Sequence, residues 1–299
     1  MKFIDYLKNL IRNIQYLSRY RIETEIDNFK YELKDETLED MLFQYNEDIQ
    51  DYKSLYIADE NETIKMILKN PKRFCRMGDG EIKLMCGMDQ PFQRYDKRLA
   101  EMLLAILETY NSDIYVGINR AYFHSVLKCS EENKKYYRLY GTQYRRFFIE
   151  HCNTKNTYID AGFATAYFRF NDSYNFEAHY NAMKDLFKNK KVLLVSGEGV
   201  FEKLRHNVFE LARTLRIIHG PSKNAFDDFD ELISLILNTA EKDEIICVIL
   251  GMAGKAMVPI LTNKGYLVWD IGHMAKDYDA YMNKIEKNHI NTRSFYAPD

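Results

Sequence analysis

The chain predicts an α/β fold, a Rossmann-like, doubly wound and mostly parallel sheet with an N-terminal helical extension. Short β-rich apolar runs, "KKVLLVS", "RIIH", "EIICVIL" and "YLVWDI", recur through the C-terminal part with loop or helix patterns between them. Strands that alternate with helices are joined by right-handed crossovers, which cover both faces of a parallel sheet. The chain has 299 residues, 46% of them hydrophobic, enough to bury one large core. A glycine follows each of these runs at once or within one residue, which marks the carboxyl ends of the strands as places a ligand can approach.

In chain order, residues 1–21 place Phe3, Ile4, Leu7, Ile11, Ile14 and Leu17 at helical spacing, with Lys2, Lys8, Arg12, Arg19 and Arg21 on the other face. A basic amphipathic helix can lie on an anionic membrane surface, although packing its stripe on the protein's own core or on a partner is commoner. Residues 22–50 turn acidic and read as a solvated helical segment or a linker. We therefore expect an extension over 1–60 and a globular domain over 61–299. In that domain "NETIKMILKN" predicts a capped helix, "KRFCRM" a strand, and "DKRLAEMLLAILETY" an amphipathic helix through Leu99, Leu103 and Ile106. The strand "DIYVGI" follows, then a mostly helical, Tyr- and Phe-rich stretch over 120–188 interrupted by the strand "TYID". After "KKVLLVS", a helix is expected over "VFEKLRHNVFELAR".

The formal net charge of −2 offers no basic field for nucleic acid. The five cysteines are scattered and form no Cys-x-x-Cys pair, which suits a reducing compartment better than a disulfide framework or a zinc knuckle. No apolar run approaches the roughly 18 residues a membrane helix needs, and no signal peptide is read at the N-terminus. A cytoplasmic protein is expected, with a peripheral contact at the inner membrane face through residues 1–21.

The strand ends hold the candidate site residues. "RMGDGE" puts Asp79 and Glu81 two positions apart with Gly78 and Gly80 beside them. In an extended stretch such residues project to one side, so both carboxylates could face one Mg²⁺ or Mn²⁺ ion, hard cations that share oxygen ligands with substrate phosphates. An ordinary surface turn is the simpler use of the same residues. Gly197-Glu198-Gly199 opens the expected helix but lacks the third glycine of a dinucleotide fingerprint. Asn224, in "GPSKNAF", suits a cap or an Asx turn. Lys255, after Gly254, could meet a phosphate or be solvated, and His273 could be structural.

Taken together and in order, "RMGDGE", "FQRYDKRLAEMLLAIL", "PSKNAFDDFDELISLI" and "LGMAGKAMVPILTNKGYLVWDIGHMAKDY" resemble bacterial GT-D-type glycosyltransferases over roughly residues 62–285. The resemblance implies a hexosyltransferase dependent on a divalent metal, with a nucleoside diphosphate sugar, UDP-linked, as donor. It implies a glycan, glycoprotein or lipid-linked acceptor in surface polysaccharide or glycoprotein synthesis. It makes Asp79 and Glu81 the Asp-x-Glu metal ligands, with Arg76, Gly78, Gly80 and Gln93 shaping the pocket. Gly197, Glu198, Gly199, Ser222 and Asn224 fall at the nucleotide-sugar site, and His273 and Asp277 lie near the reacting sugar. Either Glu198 or Ser196 stands at the family's acidic position, and "GFATAYFRF" replaces its Thr-Arg-Pro-Tyr-like segment. A metal-dependent phosphate-ester hydrolase and a non-catalytic sugar-nucleotide-binding subunit are the alternatives.

Overall fold

Strands β1 (Arg73–Met77), β2 (Ile114–Ile118), β3 (Thr157–Asp160), β4 (Lys191–Gly197), β5 (Thr214–Gly220), β6 (Glu244–Ile249) and β7 (Leu267–Asp270) form one sheet in the order β3-β2-β1-β7-β6-β4-β5. All its pairings are parallel. The computed structural model describes residues 55–296, so the expected helix at 1–21 and the acidic segment at 22–50 lie outside the described residues. The compact unit containing the described residues runs from Lys53 to Asp299. Ile57 pairs with Tyr158 beside β3, so folded structure already begins just before residue 61.

The helices are α1 (Glu60–Lys69), α2 (Asp79–Met85), α3 (Lys97–Glu108), α4 (Glu131–His151), α5 (Ala166–Arg169), α6 (Phe176–Asp185), α7 (Phe229–Thr239), α8 (Gly251–Asn263), α9 (Met274–Met282) and α10 (His289–Tyr296). Each strand alternates its side chains between two cores, as the pleat requires. Cys75, Val116, Leu193 and Ile246 pack with Leu103 of α3, Ile236 of α7 and Met257 of α8. Phe74, Tyr115, Leu194 and Cys247 pack on the other face with Ile64 of α1, Met183 of α6 and Tyr278 of α9. A strand apolar on both sides shows the continuous runs seen in the sequence. The ends of α1 and α3 follow local chemistry: Asp59 accepts from the Glu62 amide at 2.8 Å and Asp96 from the Leu99 amide at 3.0 Å.

The expected helix after β4 does not form; residues 198–213 run as successive turns. Tertiary contacts explain the difference. The amides of Arg205 and His206 are taken by Oδ1 of Asp279 on α9, at 3.0 and 2.8 Å, and Asn207 accepts from the Phe209 amide at 2.8 Å. Those amides cannot also propagate a helix.

The two halves of the sheet meet where β1 lies beside β7, with Phe74 opposite Trp269. The connection after β1 leads toward β2 and β3, while β7 is reached from β6 on the other side. In open parallel sheets such a divide leaves a crevice at the carboxyl ends. Among the described residues no helix is long and apolar enough to cross a membrane.

Candidate active site at the carboxyl ends of β1 and β7

Arg76, near the end of β1, is the first fixed point. Its amide donates to Oδ2 of Asp270 at 2.9 Å, its Nε to the Asp270 carbonyl at 2.9 Å, and its Nη2 to Oδ1 of Asp270 at 3.4 Å. Two glycines make room for it. A Cβ on Gly117 would come within 2.9 Å of Arg76 Cγ, and one on Gly272 would overlap the guanidinium itself. Gly272 also has φ +45°, a left-handed conformation that favours glycine. Burial alone would raise the Asp270 carboxyl, but Arg76 and Lys255 outweigh it and hold Asp270 below the usual carboxylate range.

The Asp-x-Glu pair differs from the extended arrangement expected of it. Asp79 and Glu81 are the first and third residues of α2, so their side chains leave the helix in different directions. Glu81 turns back and accepts the Gly78 amide at 2.7 Å, as an acidic side chain in a first helical turn commonly does. Its other oxygen lies 3.2 Å from Nζ of Lys255. Asp79 stays at the mouth, its side chain 40% exposed, paired at 2.8 Å with Lys83 one turn on. Gly80 lets this turn approach α8, since a Cβ there would sit 3.0 Å from Met252 Cε.

Lys255 is not solvated. Its side chain is 8% exposed and reaches back from α8 to Glu81, to Oδ2 of Asp270 at 3.6 Å and to the Gly251 carbonyl at 3.3 Å. Burial works against its charge, yet Asp270 and Glu81 hold it above the ordinary lysine range. Arg76, Glu81, Lys255 and Asp270 thus form one buried cluster built from four separate elements. The sequence singled out Arg76 and Glu81 as site residues and Lys255 as a residue that could meet a phosphate. The Asp270 position was visible in "WDIGH" as a strand-end carboxylate, whereas nothing local marked Lys255 as a partner of Glu81. A second buried pair was missed as well: Asp160, ending β3, accepts from the Arg120 and Gly162 amides at 3.0 and 3.1 Å and pairs with Arg169.

Other expected residues serve as clasps between loops. Gln93, 3% exposed, accepts the Phe226 amide at 3.1 Å. Asn224 accepts the Arg94 amide at 2.9 Å and adopts φ +52°. Ser222 is exposed and packs so close to Gly197 that a Cβ on that glycine would be 2.8 Å from its Cα. Gly199 has φ +71° and Glu198 is exposed, its amide bonded to the Gly220 carbonyl at 2.9 Å. With no helix after β4, this turn presents no helix N-terminus to an anion. β4 also lies two strands from β7, roughly 10 Å by ordinary strand spacing.

His273 precedes α9 and lies half-buried among rings, with centroids 6.0 Å from Phe92 and 5.4 Å from Phe295. Asp277, expected near the reacting sugar, is an interior residue of α9. It is fully buried, and its carboxylate accepts from the Tyr167 amide at 3.0 Å, the Phe168 amide at 3.4 Å and the Tyr180 hydroxyl at 2.6 Å. Burial pushes it up to about 7. Its own amide donates to the His273 carbonyl at 2.8 Å in the first turn of α9.

A closed metal cage is not built: among the described residues no three His, Cys, Asp or Glu side chains gather to hold an ion. Only Asp79 reaches the mouth with a half-exposed carboxylate, the oxygen donor a hard cation shares with substrate phosphates and water, while the Glu81 oxygens are engaged by the Gly78 amide and Lys255. Tyr136 and Tyr144 of α4 and Tyr122, in the turn after β2, border this corner: burial raises all three, and the Asp79 charge adds to the shift at each. A separate apolar cleft of about 290 Å³ lies between Met102 and Ile106 of α3 and Ala256 and Ile260 of α8, reaching Ile114 at the amino end of β2, remote from these charges.

Paired charges and glycines gathered at the carboxyl ends of β1 and β7 place the candidate site of this α/β protein at the divide of its parallel sheet. The chain belongs to the family described as glycosyltransferase GT-D fold, whose profile matches residues 74–297. It is 26% identical over 220 residues to glycosyltransferase GlyD of Streptococcus pneumoniae, covering 73% of this chain and 27% of that protein. It is 22% identical over 252 residues to the probable glycosyl transferase Gly of Streptococcus gordonii, covering 80% of this chain and 36% of that protein. The chain therefore spans well under half the length of these relatives. A solved structure of domain of unknown function 1792, described as having a distinct glycosyltransferase fold, superposes with a TM-score of 0.73 at 28% identity, covering 81% of this chain and 86% of that one. A glycosyltransferase from Streptococcus sanguinis shares the fold at 20% identity with a TM-score of 0.72, covering 79% and 87% of the two chains.

Proposed function

We propose that this chain transfers a sugar from a UDP-linked donor to an acceptor hydroxyl on a glycan, glycoprotein or lipid-linked saccharide, at the cytoplasmic side of the membrane. The observation that carries the proposal is the buried charge cluster at the β1–β7 divide with the half-exposed Asp79 at its mouth, in a chain of the GT-D family. A divalent ion, Mn²⁺ or Mg²⁺, held at Asp79 and Glu81 would supply Lewis-acid charge to the donor diphosphate. Arg76 and Lys255 add fixed positive charge where the leaving nucleotide becomes more anionic. Gly78 and Gly80 keep side chains out of its approach. His273, at the rim, orients the acceptor hydroxyl and accepts its proton, while Asp277 holds α9 so that the imidazole stays in place.

A thermal-shift panel of nucleoside diphosphate sugars with and without Mn²⁺ tests this. One donor should raise the midpoint in a metal-dependent way, since a ligand at 100 times its Kd adds about 2.7 kcal/mol. Asp79→Asn should remove that metal-dependent part and leave the unliganded midpoint within about 2 °C, because a half-exposed pair such as Asp79–Lys83 contributes only about 0.5 kcal/mol. A full metal-dependent shift in Asp79→Asn would sink the metal assignment.

A further inference from the structure

Glu81 has no free oxygen as the protein stands: one accepts the Gly78 amide at 2.7 Å and the other faces the Lys255 ammonium at 3.2 Å. Lys255 in turn donates to the Gly251 carbonyl at 3.3 Å and is ion-paired with Glu81 at 3.2 Å and with Asp270 at 3.6 Å. Arg76 engages the same Asp270. Two cations and two carboxylates leave this buried cluster neutral.

We infer that Lys255 is an internal counter-ion that competes with the divalent cation for Glu81, so the cation binds together with the donor's diphosphate and only weakly without it. The inference rests on a metal at Asp79 and Glu81. A divalent ion reaching Glu81 meets an ammonium group already there, and like charges in a poorly solvated site repel strongly. Lys255 cannot retreat to water, because its side chain is 8% exposed and Asp270 and the Gly251 carbonyl hold it from behind. A diphosphate brings the anionic charge that both cations can share, and the repulsion is offset only then. The coupling is reciprocal: whatever factor the nucleotide adds to metal affinity, the metal adds to nucleotide affinity. The enzyme thereby avoids holding a metal ion idle in a site without donor.

The test uses the full chain and Mn²⁺, read from the EPR signal of the free ion, with and without UDP. In the wild type UDP should tighten Mn²⁺ binding by about tenfold or more. Lys255→Met removes the competing charge, so Mn²⁺ alone should bind about tenfold tighter than to wild type, and the gain from UDP should shrink. Circular dichroism checks that the variant folds, and Lys255→Gln, which keeps a polar group without the charge, replaces it if it does not. Equal wild-type Mn²⁺ affinity with and without UDP overturns the inference with no variant needed. So does a folded variant that binds Mn²⁺ no tighter than wild type while wild type binds it with UDP. Absence of Mn²⁺ binding to wild type even with UDP removes the metal reading itself, and this inference with it.

Discussion

Asp270 and Asp277 stand on either side of the turn from β7 into α9, both buried, and their environments push them in opposite directions. Asp270 has Arg76 and Lys255 to outweigh its burial and is lowered. Asp277 accepts two amides and a tyrosine hydroxyl, but burial dominates and raises it to about 7. The consequences for stability have opposite signs. What Asp270 contributes is present above the unfolded carboxyl value and is lost as pH falls through its lowered folded value. What Asp277 contributes is present below the unfolded value near 3.9 and is lost as pH rises toward 7. Asp277→Asn cannot titrate. Urea unfolding at pH 5 and pH 8 should therefore show wild type losing about 3 kcal/mol more than the variant between the two conditions, at about 1.4 kcal/mol per pH unit up to 7. An unchanged difference between the two proteins would remove Asp277 as a titrating group.

Single elements here are set as much by their neighbours as by their own sequence. Helix α3 follows its apolar stripe, with Leu99, Leu103 and Ile106 buried and Asp96 at its start. The segment after β4 carries a comparable helical pattern, yet Asp279 on α9 captures the amides of Arg205 and His206 and keeps it in turns. Asp279→Ala should therefore cost about 0.5–1.5 kcal/mol, the net contribution of a hydrogen bond whose amides water can reach. Hydrogen exchange would speed up over residues 200–213 while the β4 amides keep their protection. Unchanged exchange in that segment would show that another contact holds the turns. The loop after α2 is fastened to the loop after β5 in a similar way, through Gln93, Asn224 and the 2.6 Å pair of Arg94 with Asp227. The sequence marks both loops by composition but not the bonds between them, since each bond joins residues far apart in the chain.

Across the whole molecule, the sheet and its two cores act as one cooperative frame. Trp269, the chain's one tryptophan, lies at its centre, stacked on Phe74 at 5.4 Å and donating to the Lys72 carbonyl at 2.9 Å. Its fluorescence should report loss of the β1–β7 join, so its denaturant midpoint should coincide with loss of amide protection in β1, β6 and β7; separate midpoints would show that the two halves of the sheet unfold independently. Much of this frame was legible in the sequence, because strands buried on both faces must be apolar throughout and helices between them must carry a stripe. The sequence by itself determined the α/β class, the seven strand positions and the glycines at five of their ends. Only the tertiary structure decided that Glu81 faces Lys255, that Asp270 binds both cations, that Asp277 lies behind the site and that the segment after β4 is not a helix. Periodicity and capping act over a few residues and can be read locally. Ion pairs and captured amides join residues that only the crossovers of the sheet bring together.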